Sequence, residues 1–335
     1  MNPKTVIRLF TAALMAACIA LAAGYAAAES DAQWKPTQEN DPATCAKIWQ
    51  AIGLPRDAAT ASDKTTVCHD RFVLSHDNAS KTPDWVIEHL RKKELTNKFG
   101  RPKEKFSPDP RVPPRGRPDA GDYAGSKDKF EIGHMAPSED FNNSDVNMRD
   151  TFVFSNAVPQ AGDRFNAAIW KTLETEVRSA AQARGDVYVI TGPVRGNGTE
   201  RTLSIAKKDN ACGGAIELDA IKTAIVCRAV NKKQAATCGT GVKVPVALYK
   251  IIYDPKRNAA YAFVMPNRNH PIGLGNQTHA YLDSWRVNVG VVENLTGLQF
   301  FRDLPAATRE KAIKQCAGEP FWASAGPKAA KKQPQ

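Results

Sequence analysis

Apolar residues in this chain fall into short runs of the length and composition typical of β-strands. The runs are rich in Val, Ile, Phe and Tyr and are bounded by polar, Gly or Pro positions. They predict four strands, at Thr151–Ser155, Asp186–Thr191, Val244–Tyr253 and Ala259–Met265. Between the first two, Ile169, Leu173 and Val177 recur every four residues, which predicts a helix over Asn166–Arg184. Because strands and helices mix without a regular βαβ alternation, the pattern favours an α+β fold.

The first 28 residues have the pattern of a secretory signal peptide. Lys4 and Arg8 form a positive start, Val6–Ala23 has almost no polar residue, and Ala26-Ala27-Ala28 offers a small-residue cleavage site. The pattern predicts an exported protein, periplasmic or secreted, with no stable membrane association once the segment is cleaved. The composition of the rest of the chain predicts three regions. They are a polar lead-in at 29–44, a single domain at 45–318 and a basic, disordered tail at 319–335.

The composition is that of a packed, basic protein. The 335 residues are 42% hydrophobic and 24% charged, which excludes wholesale disorder, and Lys and Arg outnumber Asp and Glu by 46 to 35. This charge balance favours a polyanionic partner. Outside the signal peptide six cysteines remain without any C-x-x-C spacing, which predicts disulfides rather than a thiolate metal site or thiol catalysis. Cys45 and Cys68 are near each other and remote from the rest, so they are expected to pair; the partners of the other four stay open.

Residues 131–178 contain most of the side chains that are candidates for catalysis. His134 follows Gly133 between a predicted strand and a loop, and Ser155-Asn156-Ala157-Val158-Pro159-Gln160 is a polar stretch after a strand. On the predicted helix, an amide, an indole, a carboxylate and a guanidinium recur every four residues along one slanted stripe: Asn166, Trp170, Glu174 and Arg178. Each feature has a simpler explanation: a structural histidine, a polar loop, and a Glu174–Arg178 ion pair beside a core tryptophan.

Taken together, these side chains form a sufficient set for hydrolysing a phosphodiester. His134, as a neutral imidazole, can act as general base on a water molecule. Asn166 offers a hard oxygen ligand suited to Mg²⁺, and Glu174 can hold waters on that metal. Arg178 can bind the phosphate or stabilise the negative charge that develops on it in the transition state. The set therefore indicates metal-assisted hydrolysis of a phosphodiester.

Further motifs follow in order between about Cys45 and Leu304. They are Pro83-Asp84-Trp85-Val86, Asp122-Tyr123, Gly133-His134-Met135-Ala136-Pro137, Thr151-Phe152, Gly192-Pro193, Pro245-x-Ala247-x-Tyr249-Lys250 and Val291-x-Glu293-x-x-Thr296-Gly297-Leu298. With these motifs the chain resembles the DNA/RNA non-specific endonucleases, which have a ββα-metal active-site finger and include secreted bacterial sugar-nonspecific nucleases and mitochondrial endonuclease G. The resemblance implies a central antiparallel sheet flanked by helices, one endonuclease domain over 45–318, and metal-dependent cleavage of DNA and RNA with little sequence specificity that leaves 5′-phosphate ends.

The resemblance also implies roles for individual residues. His134 is then the general base, Asn166 the sole direct protein ligand of one Mg²⁺, with Mn²⁺ as a substitute, and Glu174 the carboxylate on the metal waters. Arg178 matches a phosphate-stabilising arginine. Supporting or substrate-binding positions are expected at Glu131, Asn156, Gln160 and an upstream arginine, for which Arg101 is the first candidate and Arg115 and Arg117 are alternatives.

One position departs from the family pattern. The family reads Asp-Arg-Gly-His where this chain has Glu131-Ile132-Gly133-His134, so an apolar side chain replaces an arginine. A β-branched isoleucine suits a strand, and the fold is expected to be kept while rate or phosphate affinity changes. Two alternatives stay open: a weak or inactive relative that only binds extracellular nucleic acid, and a basic envelope protein that binds anionic surface polymers. The choice between monomer and homodimer is open as well.

Overall fold

The computed structural model describes ten segments of the chain. They are residues 40, 42–57, 63–96, 98–102, 105–124, 130–195, 203–213, 216–218, 241–318 and 321–324. The predicted signal peptide lies outside these segments, as do most of the predicted lead-in and most of the predicted tail. Within the described residues, no helix is long and apolar enough to cross a membrane.

Strands and helices alternate irregularly along the described segments. The strands are Arg56–Asp57 (β1), Lys64–Cys68 (β2), Phe72–Asp77 (β3), Thr82–Leu90 (β4), Phe130–His134 (β5), Ala157–Ala161 (β6), Val187–Val194 (β7), Leu203–Ile205 (β8), Ile216–Leu218 (β9), Ala247–Asp254 (β10), Ala259–Pro266 (β11), Arg286–Val287 (β12) and Leu298–Gln299 (β13). The α-helices are Pro42–Trp49 (α1), Ala120–Ala124 (α2), Asp145–Asp150 (α3), Lys171–Arg184 (α4), Thr278–Asp283 (α5), Val289–Thr296 (α6) and Ala306–Lys314 (α7). A π-helix spans Gly162–Trp170, and short 3₁₀ turns occur at Lys92–Glu94, Ser138–Phe141, Phe154–Asn156, Lys207–Asp209, Gly275–Gln277 and Phe321–Ser324.

Seven strands form one antiparallel sheet in the order β12-β11-β10-β7-β4-β3-β2. Successive residues of a strand point to opposite faces, so Ile251 and Ile252 of β10 belong to two separate cores. One core lies between the sheet and helices α1, α6 and α7. The other lies between the sheet and the π-helix with α4. Both sheet faces are covered by helices, and the predicted α+β class with a central antiparallel sheet is confirmed.

Three of the four predicted strands are present, and one prediction is wrong. The runs at 186–191, 244–253 and 259–265 correspond to β7, β10 and β11. Thr151–Ser155 makes only an isolated bridge, from Val153 to Ser107, before a 3₁₀ turn. The reason is that Phe152 and Phe154 are both buried and pack around Phe106, so apolar residues here fill a local cluster rather than one face of a strand.

Part of the predicted disordered tail is ordered. Phe321–Ser324 forms a 3₁₀ turn, and Phe321 and Trp322 are buried in the core beneath α4. The Nε1 of Trp322 donates a hydrogen bond to Asp283 (3.0 Å), and the Nε of Arg184 donates one to the Phe321 carbonyl oxygen (3.0 Å). Two large aromatic side chains provide enough apolar area to hold this short segment against the domain.

Two disulfides are present among the described residues. The predicted Cys45–Cys68 bond ties helix α1 to strand β2, and Cys212–Cys316 links positions 104 residues apart. Cys227 and Cys238 lie outside the described residues.

We expect loss of the Cys212–Cys316 bond to lower the free energy of unfolding by about 5 kcal/mol. A bond closing a loop of this length removes more conformational entropy from the unfolded chain than one closing the 23-residue loop of Cys45–Cys68, for which about 3 kcal/mol is expected. Urea denaturation of the oxidised protein, of Cys212→Ser/Cys316→Ser and of Cys45→Ser/Cys68→Ser measures both values. Equal stability of the three proteins would contradict the expectation.

Candidate active site

A hairpin followed by a helix positions most of the predicted site residues. Strands β5 and β6 pair antiparallel so that Glu131 lies opposite Gln160 and His134 lies opposite Ala157. The chain then passes from β6 directly into the π-helix and helix α4. This is the ββα finger that the sequence predicts.

The π-helix changes the geometry of the predicted stripe. Asn166 and Trp170 lie in the π-helical segment, whereas Glu174 and Arg178 lie in the α-helix that follows. The turn is wider in a π-helix because its hydrogen bonds run from i to i+5, and such segments are frequent at functional sites. Trp170 is fully buried, which matches the expected core tryptophan. The prediction of one uniform α-helix from Asn166 is therefore wrong in its first turn.

His134 is the last residue of β5 and has a ring nitrogen without a partner. Its ring packs between Phe106 (4.5 Å between centroids) and Phe152 (4.8 Å, edge-on). Its Nε2 is buried and makes no hydrogen bond to any described residue. Burial and, as the smaller cause, the positive charge of Arg101 lower the pKa of His134 to about 3. The imidazole is therefore neutral at physiological pH and free to accept a proton.

Asn166 is held by the acidic residue of the hairpin. Its Nδ2 donates a hydrogen bond of 2.7 Å to Oε2 of Glu131, which links the π-helix to β5. This bond uses the nitrogen of the amide and leaves Asn166 Oδ1 as the free acceptor. An amide oxygen oriented in this way is a ligand of the kind that hard divalent cations prefer.

The two predicted supporting amides stabilise the loop that contains His134. Asn156 Oδ1 accepts a hydrogen bond from the Ala136 N–H (2.9 Å), and Asn156 Nδ2 donates to the carbonyl oxygens of Ala136 and Thr151 (3.0 Å each). Gln160 Nε2 donates to the His134 carbonyl oxygen (3.2 Å). A Cβ on Gly133 would lie 2.1 Å from Cδ of Gln160, so only glycine fits before the histidine. Both amides therefore position His134 through the backbone.

Arg178 is bound by two carboxylates. Its Nη1 donates to Asp140 (2.6 Å), and its Nη2 donates to Glu139 (2.9 Å). The predicted Glu174–Arg178 ion pair is not present as a hydrogen bond, although the charge of Arg178 does act on Glu174. Burial raises the pKa of Glu174 to about 7, while Lys250 and Arg178 lower it and Asp140 and Glu139 raise it.

A cleft of about 340 Å³ brings together His134, Asn166 and Glu174, whereas Arg178 lines an adjoining groove. The lining of the cleft includes Arg101, Glu131, Ile132, His134, Asn166, Lys171 and Glu174. Arg115 and Arg117 are not brought to this cleft: Arg115 pairs with Asp63 (2.5 Å), and Arg117 donates to the carbonyl oxygens of Val112 and Pro110. Of the three upstream candidates, only Arg101 lies at the site.

Ile132 faces two environments. It lines the cleft, and it is also partly buried against the aromatic cluster that contains Phe130, Phe154 and Tyr123. The isoleucine therefore contributes to packing at the base of the hairpin. Among the described residues that line the cleft, the cations are Arg101 and Lys171.

Sequence reasoning missed Lys171 and two buried ionisable residues of the central sheet, Glu88 and Lys250. Glu88 of β4 and Lys250 of β10 are each only 1% exposed. Lys250 Nζ donates to Thr191 Oγ1 (2.7 Å) and lies 5.2 Å from the centroid of the Trp170 ring. Burial raises the pKa of Glu88 well above its usual range, with Asp140 adding to the rise and Lys250 opposing it. A lysine inside the apolar run of β10 was the available signal.

The comparisons with known proteins agree with the geometry of the finger. A family model described as DNA/RNA non-specific endonuclease matches residues 54–307. The mitochondrial nuclease EXOG of zebrafish (Danio rerio) is 33% identical over 270 residues, which cover 79% of this chain and 66% of that protein. Human (Homo sapiens) mitochondrial EXOG is 30% identical over 263 residues, covering 77% and 61%. The chain thus spans about two thirds of the length of these curated relatives.

A solved structure has a similar fold. In the crystal structure of the EndoG/EndoGI complex, which concerns the mechanism of EndoG inhibition, one chain matches this one with a TM-score of 0.58 and 25% identity. The match covers 86% of this chain and all of that chain. The shared architecture supports the assignment of the hairpin and α4 as the ββα finger.

The comparisons overturn the predicted location and confirm the predicted family. The EXOG relatives are named mitochondrial nucleases, as are relatives from two yeasts, and this finding contradicts a periplasmic or secreted protein. The family resemblance and the class of enzyme, a non-specific nuclease, are both confirmed. The chain belongs to the DNA/RNA non-specific endonuclease family.

Proposed function

We propose that this chain is a metal-dependent endonuclease that hydrolyses DNA and RNA with His134 as the general base. The observation that supports this most directly is the buried, partnerless Nε2 of His134 in a cleft that also contains the Asn166–Glu131 pair. His76 and His89 also have a buried Nδ1 without a hydrogen-bond partner, but neither lines the cleft, so His134 is distinguished by its place in the cleft lining. An unsatisfied ring nitrogen facing a polar cleft is the arrangement that a proton acceptor requires.

The side chains of the cleft fit a bound Mg²⁺, with Mn²⁺ as a substitute. Asn166 Oδ1 would be the direct ligand, with its amide oriented by Glu131, and the carboxylate of Glu174 would hold the metal's waters. Among the described residues there is no cluster of three or more His, Cys, Asp or Glu, so most of the coordination would come from water. When bound, Mg²⁺ stabilises negative charge on the phosphate and the leaving oxygen.

In the proposed reaction, His134 Nε2 accepts a proton from the water that attacks phosphorus. Phe106 and Phe152 restrain the ring, and Gln160 and Asn156 fix the backbone around it. Arg101 and Lys171 bind phosphate oxygens, while Arg178 stabilises Glu174 by its charge. None of these groups reads the edge of a base, which accounts for weak sequence preference.

Cleavage of a supercoiled plasmid and of an RNA oligonucleotide tests this function. With Mg²⁺ both substrates are expected to be cut at many positions, and nicked plasmid should be resealed by DNA ligase because its ends are 5′-phosphate and 3′-hydroxyl. EDTA should stop both reactions. Binding to DNA without cleavage in either Mg²⁺ or Mn²⁺ would favour the alternative of an inactive family member.

We expect Lys171→Ala to weaken DNA binding in a salt-dependent way. Lys171 is 57% exposed, and its nearest carboxylate, Glu139, lies 3.7 Å away, so the ammonium is available for a phosphate. Loss of one phosphate contact lowers the slope of log K against log salt concentration by about 0.9. Fluorescence anisotropy with a DNA duplex in EDTA measures the slope. The control is Lys208→Ala, which removes the same charge from an exposed position that does not line the cleft and should leave the slope unchanged. Equal slopes in the two variants would exclude a phosphate contact by Lys171.

The value of kcat/KM is expected to fall as the pH is lowered through about 7. Glu174 must be charged to hold metal waters, and burial raises its pKa to about 7, so the active form is lost below that pH. Protonation of His134 does not cause this fall in kcat/KM, because its pKa of about 3 keeps the ring neutral at pH values near 7. A divalent cation favours the carboxylate, so higher metal concentration should move the fall to lower pH. A fall that does not respond to metal concentration would contradict the assignment.

A further inference from the structure

A second groove adjoins the active cleft. It has a volume of about 460 Å³, and its own lining includes Leu95, Phe99, Asn142 and Gln182. Arg101, Ser138 and Glu139 line both this groove and the cleft that contains His134 and Asn166. The two depressions therefore share a wall, so a nucleic-acid strand whose phosphate lies in the cleft would have an adjacent nucleotide next to the groove.

Phe99 is the exposed apolar side chain of this groove. It is 45% exposed, and the other large hydrophobic side chains exposed to a similar or greater degree in the described residues are Val146 and Ile272. The backbone N–H groups of Phe99 and Lys98 both donate to the Asn142 carbonyl oxygen, at 2.9 and 3.2 Å. These two bonds fix the backbone of Phe99 beside the groove, and its side chain remains partly exposed in the free protein.

We propose that this groove is a subsite for an unpaired nucleobase next to the scissile phosphate, with Phe99 as its stacking partner. The inference rests on the proposed function and names a substrate preference of the same site. Aromatic side chains stack on all four bases, so the subsite is compatible with cleavage that ignores sequence. Gln182 Nε2 donates one of its two N–H groups to the Leu95 carbonyl oxygen (3.0 Å), which holds this amide against the protein at the groove wall.

The consequence is a preference for single strands. In a duplex each base is stacked on its neighbours and paired, and it must leave the helix to reach Phe99, which costs the energy of unstacking and unpairing. In a single strand the base is free to move into the groove while Arg101 contacts the phosphate at the shared wall. Single-stranded DNA or RNA should therefore gain from Phe99, and fully paired DNA should not.

The test compares Phe99→Ala, Phe99→Trp and the control Ile272→Ala on one single-stranded oligonucleotide and its duplex. Phe99→Ala should lower kcat/KM on the single strand by about 5- to 150-fold, the equivalent of ~1–3 kcal/mol for one stacked base, and change the duplex value less than two-fold. Phe99→Trp should keep the single-strand value, because indole also stacks. Ile272, 58% exposed outside both grooves, should have no effect on either substrate.

The outcomes separate this inference from the proposed function. Equal losses on both substrates, or a Phe99→Ala variant that matches Ile272→Ala, would overturn the stacking subsite while leaving the nuclease intact. If the unmodified protein cleaves neither substrate in Mg²⁺ or Mn²⁺, the proposed function fails instead. The subsite is then tested by anisotropy with the single strand in EDTA, where an unchanged Kd for Phe99→Ala overturns it and a weaker one supports it.

Discussion

Replacing His134 with alanine is expected to lower kcat by about 10²–10⁴-fold, the contribution of a positioned general base, while the protein stays folded. The imidazole makes no hydrogen bond through Nε2, so its removal breaks no buried polar network. The packing that is lost is one ring face against Phe106 and one edge against Phe152. The variant should therefore unfold at nearly the same urea concentration as the unmodified protein.

The matched control for this variant is His279→Ala. His279 is 48% exposed, stacks on Trp322 and lies 3.1 Å from Glu176, and it does not line the active cleft. Plasmid nicking in Mg²⁺ should be lost in His134→Ala and retained in His279→Ala. Full activity of His134→Ala, or its failure to fold, would mean that His134 is a structural histidine.

Local patterns were sufficient to predict three buried strands of the central sheet, β7, β10 and β11, but not the equally buried β3 and β4. The sequence from Val244 to Tyr253 is nearly continuous in apolar residues, and the corresponding strand β10 is buried throughout. The same reasoning failed at Thr151–Ser155 because an apolar run of that length also suits a loop whose phenylalanines fill a cluster. The pattern of hydrophobic residues indicates which side chains are buried. Burial alone does not distinguish a strand from a loop whose side chains fill a cluster.

The residue types of the site could be predicted from the sequence, but the hydrogen-bond partners of those residues could not. Glu131 and Asn166 are 35 residues apart, and only the fold shows that one carboxylate orients one amide. Arg178 was expected at the phosphate, yet Asp140, 38 residues earlier in the chain, accepts its hydrogen bond. Spacing along one helix does not reveal which residue of another element lies beside it. Sequence reasoning therefore identifies the ionisable groups of the site but not the residues that pair with them.

Asn166→Ala is expected to raise the metal concentration needed for half-maximal activity by at least 10–100-fold, about the effect of losing an outer-shell partner of a metal ligand. The proposed coordination has one direct protein ligand, so its removal leaves only the water-mediated contact to Glu174. The rate should recover in part at saturating metal, because His134 is untouched. Asn147→Ala, on helix α3 and outside the cleft, removes the same amide and should not change the metal titration.

Glu131 allows this prediction to be tested a second way. Its Oε2 accepts the hydrogen bond from Asn166 Nδ2 at 2.7 Å, and that bond is what keeps the amide oxygen available. Glu131→Ala should therefore raise the half-saturating metal concentration by about 10–100-fold by itself and add little once Asn166 is alanine, since the two residues act as a unit. Additive effects in the double variant would show that Glu131 acts on the metal independently. An unchanged metal requirement in Asn166→Ala would remove Asn166 as the ligand altogether.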